Sequence, residues 1–282
     1  MKQDSKKYPP TEVISAFGCK GTPKPLDGGE GRSFRIENYV LKPVENIALY
    51  EWCADLLQRL RVFDIRFSAP IATRDGHFVH NGWGASLYEP GSHRNGDWKE
   101  KLRVGRSFHE AMNQVVAKPI PDRDDRWSQA HEIVWGRMEI PSEMDVKIQR
   151  TLGDIISRFK EVDYDEHVIH SDLCGNIMFH ECSPPLVIDF SPAIGPQAYG
   201  EAILVSDAIA WEGAPTGLVS LLPDTEYYRQ MFYRAVAFRT IVAGLFYADK
   251  FDRFMEEYLA FSPIINLLEG QGSQQTGAGN SD

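Results

Sequence analysis

Cysteine is scarce in this sequence and carries no pattern. There are four in 282 residues, Cys19, Cys53, Cys174 and Cys182, with no paired metal or disulfide spacing. Reduced thiols in a cytoplasmic protein are the expectation. Long apolar runs are missing as well. No stretch approaches the roughly 20 residues of a membrane span, and the Lys-rich start lacks the apolar segment of a signal peptide. Basic charge is in deficit: 30 Lys and Arg stand against 40 Asp and Glu, a net charge of −10. That balance argues against a nucleic-acid backbone as partner and suits a cationic small molecule. The sequence has no Gly-x-Ser-x-Gly elbow, no His-Glu-x-x-His and no Walker Gly-Lys-Ser/Thr, which removes the common signatures of esterases, zinc proteases and P-loop enzymes. No internal repeat is evident. The remainder, 43% hydrophobic and 25% charged, is ordinary globular composition with ample core.

Chemistry concentrates in one stretch, Val168-Ile169-His170-Ser171-Asp172-Leu173-Cys174-Gly175-Asn176-Ile177-Met178-Phe179, followed by Pro185-Leu186-Val187-Ile188-Asp189-Phe190. Short apolar runs rich in β-branched or aromatic residues predict strands. Asp172, Asn176 and Asp189 fall at their ends. Oxygen ligands on rigid strand ends suit Mg²⁺, which keeps few protein ligands and leaves positions for phosphate oxygens. A carboxylate kept off the metal can orient a hydroxyl and accept its proton.

His170-x-Asp172, then Asn176, then Ile188-Asp189-Phe190 resembles the catalytic core of the aminoglycoside phosphotransferase and choline kinase branch of the protein-kinase-like superfamily. The resemblance implies an α+β fold: a small antiparallel-sheet N-lobe at about residues 8–88 and a mostly helical C-lobe at about 89–268; the Gly-, Ser- and Gln-rich tail at 269–282 is expected to be disordered. It implies Asp172 as catalytic base, Asn176 and Asp189 as Mg²⁺ ligands, and His170 as a brace for the loop. One departure is plain. Asp172 to Asn176 is a step of four where the family usually has five, while Asn176 to Asp189 is thirteen, close to its habit. Gly175 can supply the backbone freedom for the tighter loop.

Other residues follow from the same likeness. Gly28, Gly29 and Gly31 sit in a Gly-rich hairpin over Leu26–Ile36, where backbone N–H groups can approach a phosphate; a tight hairpin explains them equally well. Lys42, in Val40-Leu41-Lys42, resembles the lysine that holds the α- and β-phosphates of ATP. Its partner is expected in the helix predicted over Asn46–Leu60, with Glu51 favoured over Glu45 and Asp55. Leu87-Tyr88-Glu89-Pro90-Gly91 resembles the hinge whose backbone binds adenine. His109 resembles a structural histidine, and Asp207 a carboxylate that ties down the catalytic loop.

Strands are predicted over Phe67–Thr73 and His77–Tyr88, around an Asp75-Gly76 turn. Helices are predicted over 97–115, 127–137, 142–160, 199–211, 227–247 and 249–268. Residues 117–126 read as a charged loop, and Ser191–Pro196 as too broken for an element.

The implied activity is ATP- and Mg²⁺-dependent transfer of a γ-phosphoryl group to a small-molecule hydroxyl acceptor. Two rivals are a catalytically impaired nucleotide- or partner-binding protein of the same fold, and a zinc site among His167, His170, Cys174, His180 and Cys182. The zinc reading lacks the standard paired spacings.

Overall fold

The computed structural model describes residues 8–26 and 31–275, with side chains through residue 270. Gly28 and Gly29 lie outside the described residues. The chain forms two compact units that interleave along the sequence: 1–93, 110–121 and 176–190 in the first; 94–109, 122–175 and 191–282 in the second.

The first unit holds the larger sheet. Helix α1 (Thr11–Ala16) ends where Gly18 adopts φ 73°, the left-handed turn that glycine takes without penalty. Strands β1 (Lys24–Pro25), β2 (Phe34–Ile36) and β3 (Tyr39–Pro43) run antiparallel, and α2 (Ile47–Leu57) follows. The Asn46 side chain caps α2 by accepting the Leu49 N–H at 2.9 Å.

The next segment is more broken than the two predicted strands. It divides into β4 (Arg66–Phe67), β5 (Pro70–Ile71), β6 (Val79–His80) and β7 (Trp83–Leu87). The cause is legible in Asn81-Gly82, both at positive φ (48° and 74°), which closes a second tight hairpin between His80 and Trp83. β7 pairs with β3, β5 and β6, while β4 leaves that sheet to run parallel to β10 (Ser183–Val187), which also pairs with β9 (Ile177–His180). Val13, Phe17, Phe34, Ile36, Leu41 and Trp83 fill the core beneath the larger sheet.

The second unit is mostly helical. It takes α3 (Trp98–Asn113) as far as His109, then α4 (Arg126–Val134), α5 (Val146–Ile156), α6 (Gln197–Trp211), α7 (Glu226–Phe246) and α8 (Phe251–Gln275). α6 and α7 are buried on nearly every face, as helices at the centre of a bundle must be.

A two-stranded ladder pairs β8 (His167–His170) with β11 (Pro192–Gly195), although the sequence reads as too broken for an element there. Pro192 is the first residue of β11, a position where its missing N–H is tolerated. α8 also runs past Leu268 into the segment expected to be disordered; residues 276–282 lie outside the described residues. The architecture is thus α+β, an antiparallel sheet in one unit and a helical bundle in the other. No helix among the described residues is long and apolar enough to cross a membrane.

Candidate active site

In the first unit the structure brings together three of the residues singled out by the sequence. Lys42, on β3, donates from Nζ to Asp189 Oδ1 at 2.6 Å across 147 residues of sequence. Ile177 pairs with Val187, so the next residue on each strand faces the other: Ile188 N–H donates to the Asn176 carbonyl at 3.0 Å. Asn176 and Asp189 therefore share one end of the β9–β10 pair. Asp189 holds φ 47°, a left-handed conformation costing about 1–2 kcal/mol in most residues and easier for Asp and Asn. Phe190 is fixed beyond it against Trp52 of α2, ring centroids 6.5 Å apart.

The Lys42–Asp189 pair is open to water, with side-chain exposures of 40% and 58%. Such a pair contributes at most about 1 kcal/mol, so a phosphate on Lys42 or a cation on Asp189 can replace it. Asp189 and Asn176 offer hard oxygen donors on a strand end, a set that fits Mg²⁺.

Glu51 is exposed on α2, and Lys42 is ion-paired to Asp189. The helix buries Trp52, Cys53 and Leu56, and Tyr50 turns to the sheet, its hydroxyl donating to the Ala85 carbonyl at 3.2 Å. The tyrosine ring occupies the space over Gly84, where a Cβ would lie 2.4 Å from it; Gly84 is Lys42's partner across the ladder. Burial, then the neighbouring Cys53 and Asp189, push the Tyr50 phenol above its ordinary range.

Glu89 is also held: its carboxylate pairs with Arg66, whose Nε donates to the Pro184 carbonyl at 2.9 Å. Gly31 adopts φ 66°.

Asp172 lies in the second unit, on the loop after β8. Its Oδ1 accepts from Arg239 Nη2 at 2.7 Å. Arg239, on α7, also donates to both oxygens of Asp207, at 2.9 and 2.5 Å, and to the Ser171 carbonyl at 3.3 Å. Asp207 thus reaches the loop through Arg239, a residue that sequence reasoning did not single out. The loop is fastened at further points. Asp172 N–H donates to His170 Nδ1 at 3.1 Å, Ser171 N–H to the Ser191 carbonyl at 2.9 Å, and Lys101 Nζ to the Cys174 carbonyl at 2.9 Å. Lys101 is 1% exposed and ion-paired to Glu212, which also accepts from Trp98 Nε1 at 3.0 Å.

Burial raises the Asp207 carboxyl most, working against the Arg239 guanidinium, and leaves it near pH 6. For Arg239 burial pulls downward, but the Asp207 and Asp172 carboxylates outweigh it and hold the guanidinium above its ordinary range.

His170 is fully buried, and its N–H donates to His109 Nε2 at 3.1 Å. That bond needs a neutral His109 ring. Burial first, then His170 and His167, lowers His109 from 6.5 to about 3, and burial lowers His131 in the same sense. Between these values the unfolded chain binds a proton that the folded chain refuses, so stability is lost as pH falls from 6.5 toward 3. The slope is about 1.4 kcal/mol per pH unit for each such histidine. Urea unfolding between pH 5 and 7 is expected to show this fall, and His109→Gln to flatten it by about one proton.

The zinc alternative finds no support in the geometry. Cys174 is buried, with burial and then Asp207 pushing its thiol upward, whereas Cys182 is exposed. Among the described residues no three His, Cys, Asp or Glu converge on a metal position.

No family model matches the sequence, and no curated protein matches it by sequence. Solved structures match by fold. A thermostable mutant of aminoglycoside phosphotransferase APH(4)-Ia, in ternary complex with AMP-PNP and hygromycin B, gives a TM-score of 0.63 at 14% identity, over 95% of this chain and 98% of that one. Choline kinase LicA from Streptococcus pneumoniae gives 0.57 at 11% identity, over 92% and 97%. A choline/ethanolamine kinase family protein from Mesorhizobium loti gives 0.56 at 15%, over 92% and 94%. The likeness is one of fold, and the fold is protein-kinase-like.

Proposed function

We propose that this chain is a phosphotransferase that moves the γ-phosphoryl group of ATP to a hydroxyl of a small molecule, with Mg²⁺ as cofactor. The observation that carries the reading is the meeting of Lys42 with Asp189, at the strand end that also presents Asn176, within a protein-kinase-like fold. Lys42 holds phosphate oxygens. Asn176 and Asp189 hold Mg²⁺, which when bound neutralises charge on the transferring group. Asp172 lies four residues before Asn176 in the sequence. It orients the acceptor hydroxyl and takes its proton. The Glu89 backbone serves the adenine ring, and Gly28, Gly29 and Gly31 are the glycines assigned to the phosphates. Positioning and charge neutralisation supply most of the rate in such transfers.

That the similar aminoglycoside phosphotransferase was crystallised with AMP-PNP and hygromycin B supports a nucleotide and a small-molecule acceptor here. The acceptor class is tested by ADP formation from Mg·ATP over a panel of sugars, aminocyclitols and amino alcohols. At least one is expected to raise ADP formation above the rate with water alone. A chain that neither binds Mg·ATP nor forms ADP with any of them would overturn the reading.

A further inference from the structure

Arg239 is 7% exposed and sits where α7 passes the loop that carries Asp172. One guanidinium serves two carboxylates: both oxygens of the buried Asp207, and one oxygen of Asp172. The side-chain exposures differ sharply, 1% for Asp207 and 44% for Asp172. Asp207 is therefore the fixed end of the bridge, and Asp172 is the end that reaches solvent. The Trp211 and Phe238 rings lie 5.1 and 4.9 Å from the guanidinium carbon and confine it.

The charged and titratable groups around the bridge come from several elements. Asp207, Tyr199 and Glu212 come from α6 and its C-terminal end, and His131 from α4. Cys174 and Asp172 come from the loop after β8, and Lys101 from α3, facing Glu212 and Cys174. With Asp207 and Asp172 ionised, the three-residue bridge carries a net charge of −1.

We propose that Arg239 is a positioning residue that holds the Asp172 carboxylate ionised by a charge shared with Asp207, so that the two acids compete for one cation. The proposal rests on the reading of Asp172 as the acceptor's proton-taking group. Asp172 is pinned to Arg239 through Oδ1. Its affinity for a proton is set by how much of Arg239 it receives. Removing Asp207's charge gives Asp172 the whole guanidinium and lowers that affinity. Removing Arg239 leaves two neighbouring carboxylates without a cation and raises it.

The test is titration of the Asp172 carboxyl carbon by ¹³C NMR, assigned by difference from Asp172→Asn. The acid limb of Mg·ATP turnover is measured alongside, with water or an active acceptor as the receiving hydroxyl. Arg239→Gln is expected to move the Asp172 midpoint up by about one pH unit or more. Asp207→Asn is expected to move it down, and Arg239→Lys to lie between wild type and Arg239→Gln. If Arg239→Gln does not fold, Asp207→Asn and Arg239→Lys carry the test with opposite shifts. A clamp that acted only by packing would change turnover without moving any midpoint. Midpoints equal to wild type in the folded variants would therefore overturn the proposal, even with turnover intact. Shifts as expected in a wild type that turns over no Mg·ATP would uphold the bridge and sink only the phosphotransfer reading.

Discussion

Asp172→Asn is expected to lower acceptor-dependent ADP formation by roughly 10²–10⁴-fold, while Mg·ATP still raises the melting temperature. The substitution keeps size and shape, and an asparagine carbonyl can still accept from Arg239 Nη2, which lies 2.7 Å from Asp172 Oδ1. What it removes is a charged oxygen able to take a proton. Lys42, Asn176 and Asp189 belong to the other unit and are unchanged, so nucleotide binding is expected to survive. Arg239 retains its two bonds to Asp207, so the loop keeps its anchor. Full turnover in Asp172→Asn would remove Asp172 from the chemistry.

Lys101→Met is expected to cost about 3–5 kcal/mol of stability, the usual penalty for stripping one partner from a buried ion pair. Methionine is close in volume, so packing changes little and the measured loss is electrostatic. Lys101 is 1% exposed, and its partner Glu212 has 13% of its side chain exposed. Without the ammonium, Glu212 retains the Trp98 indole, and the Cys174 carbonyl loses its donor. For a chain of this size a drop in melting temperature on the order of 10 °C follows. Lys101→Met combined with Glu212→Gln is expected to regain part of it, because the stranded charge is then gone. A melting temperature equal to wild type in the single variant would show that the pair contributes nothing.

Residues that carry their meaning locally were readable in the sequence. Asp172, Asn176 and Asp189 punctuate short apolar runs, and those runs became β8, β9 and β10. Lys42 stood out as a cation in a mostly apolar strand. The helices other than α8, which runs seven residues past its expected end, were placed to within about four residues, because their apolar spacing repeats over several turns. Asn46 showed the start of α2 by its capping chemistry.

What the sequence leaves open depends on direction in space. Glu51 and Tyr50 are neighbours on one helix, and a rotation of about 100° per residue sets that Tyr50 meets Gly84 and Ala85 of β7. Nothing local sets that rotation. Arg239 was hidden inside an aromatic helix read as core, yet a signal was present. An arginine in Ala235-Val236-Ala237-Phe238-Arg239-Thr240-Ile241 must find a buried anion, and two carboxylates supply it. Lys101 had no such signal, since Trp98-Lys99-Glu100-Lys101 looks like an exposed helix start. Asn81-Gly82 carries the same turn chemistry as Asp75-Gly76.

The most direct measurement of the central claim is the melting temperature of wild type and of Asp189→Asn, each with and without Mg·ATP. Asparagine accepts the positive φ of residue 189, so the backbone is kept while the carboxylate that meets Lys42 and the metal is lost. At a hundredfold excess over the dissociation constant, a ligand that binds only the folded chain adds about 2.7 kcal/mol, a rise of roughly 5–10 °C. The expected result is that rise in wild type, abolished by EDTA and lost in Asp189→Asn. An equal rise in both proteins, or none in wild type, would contradict the assignment of Lys42, Asn176 and Asp189 to a metal–nucleotide site.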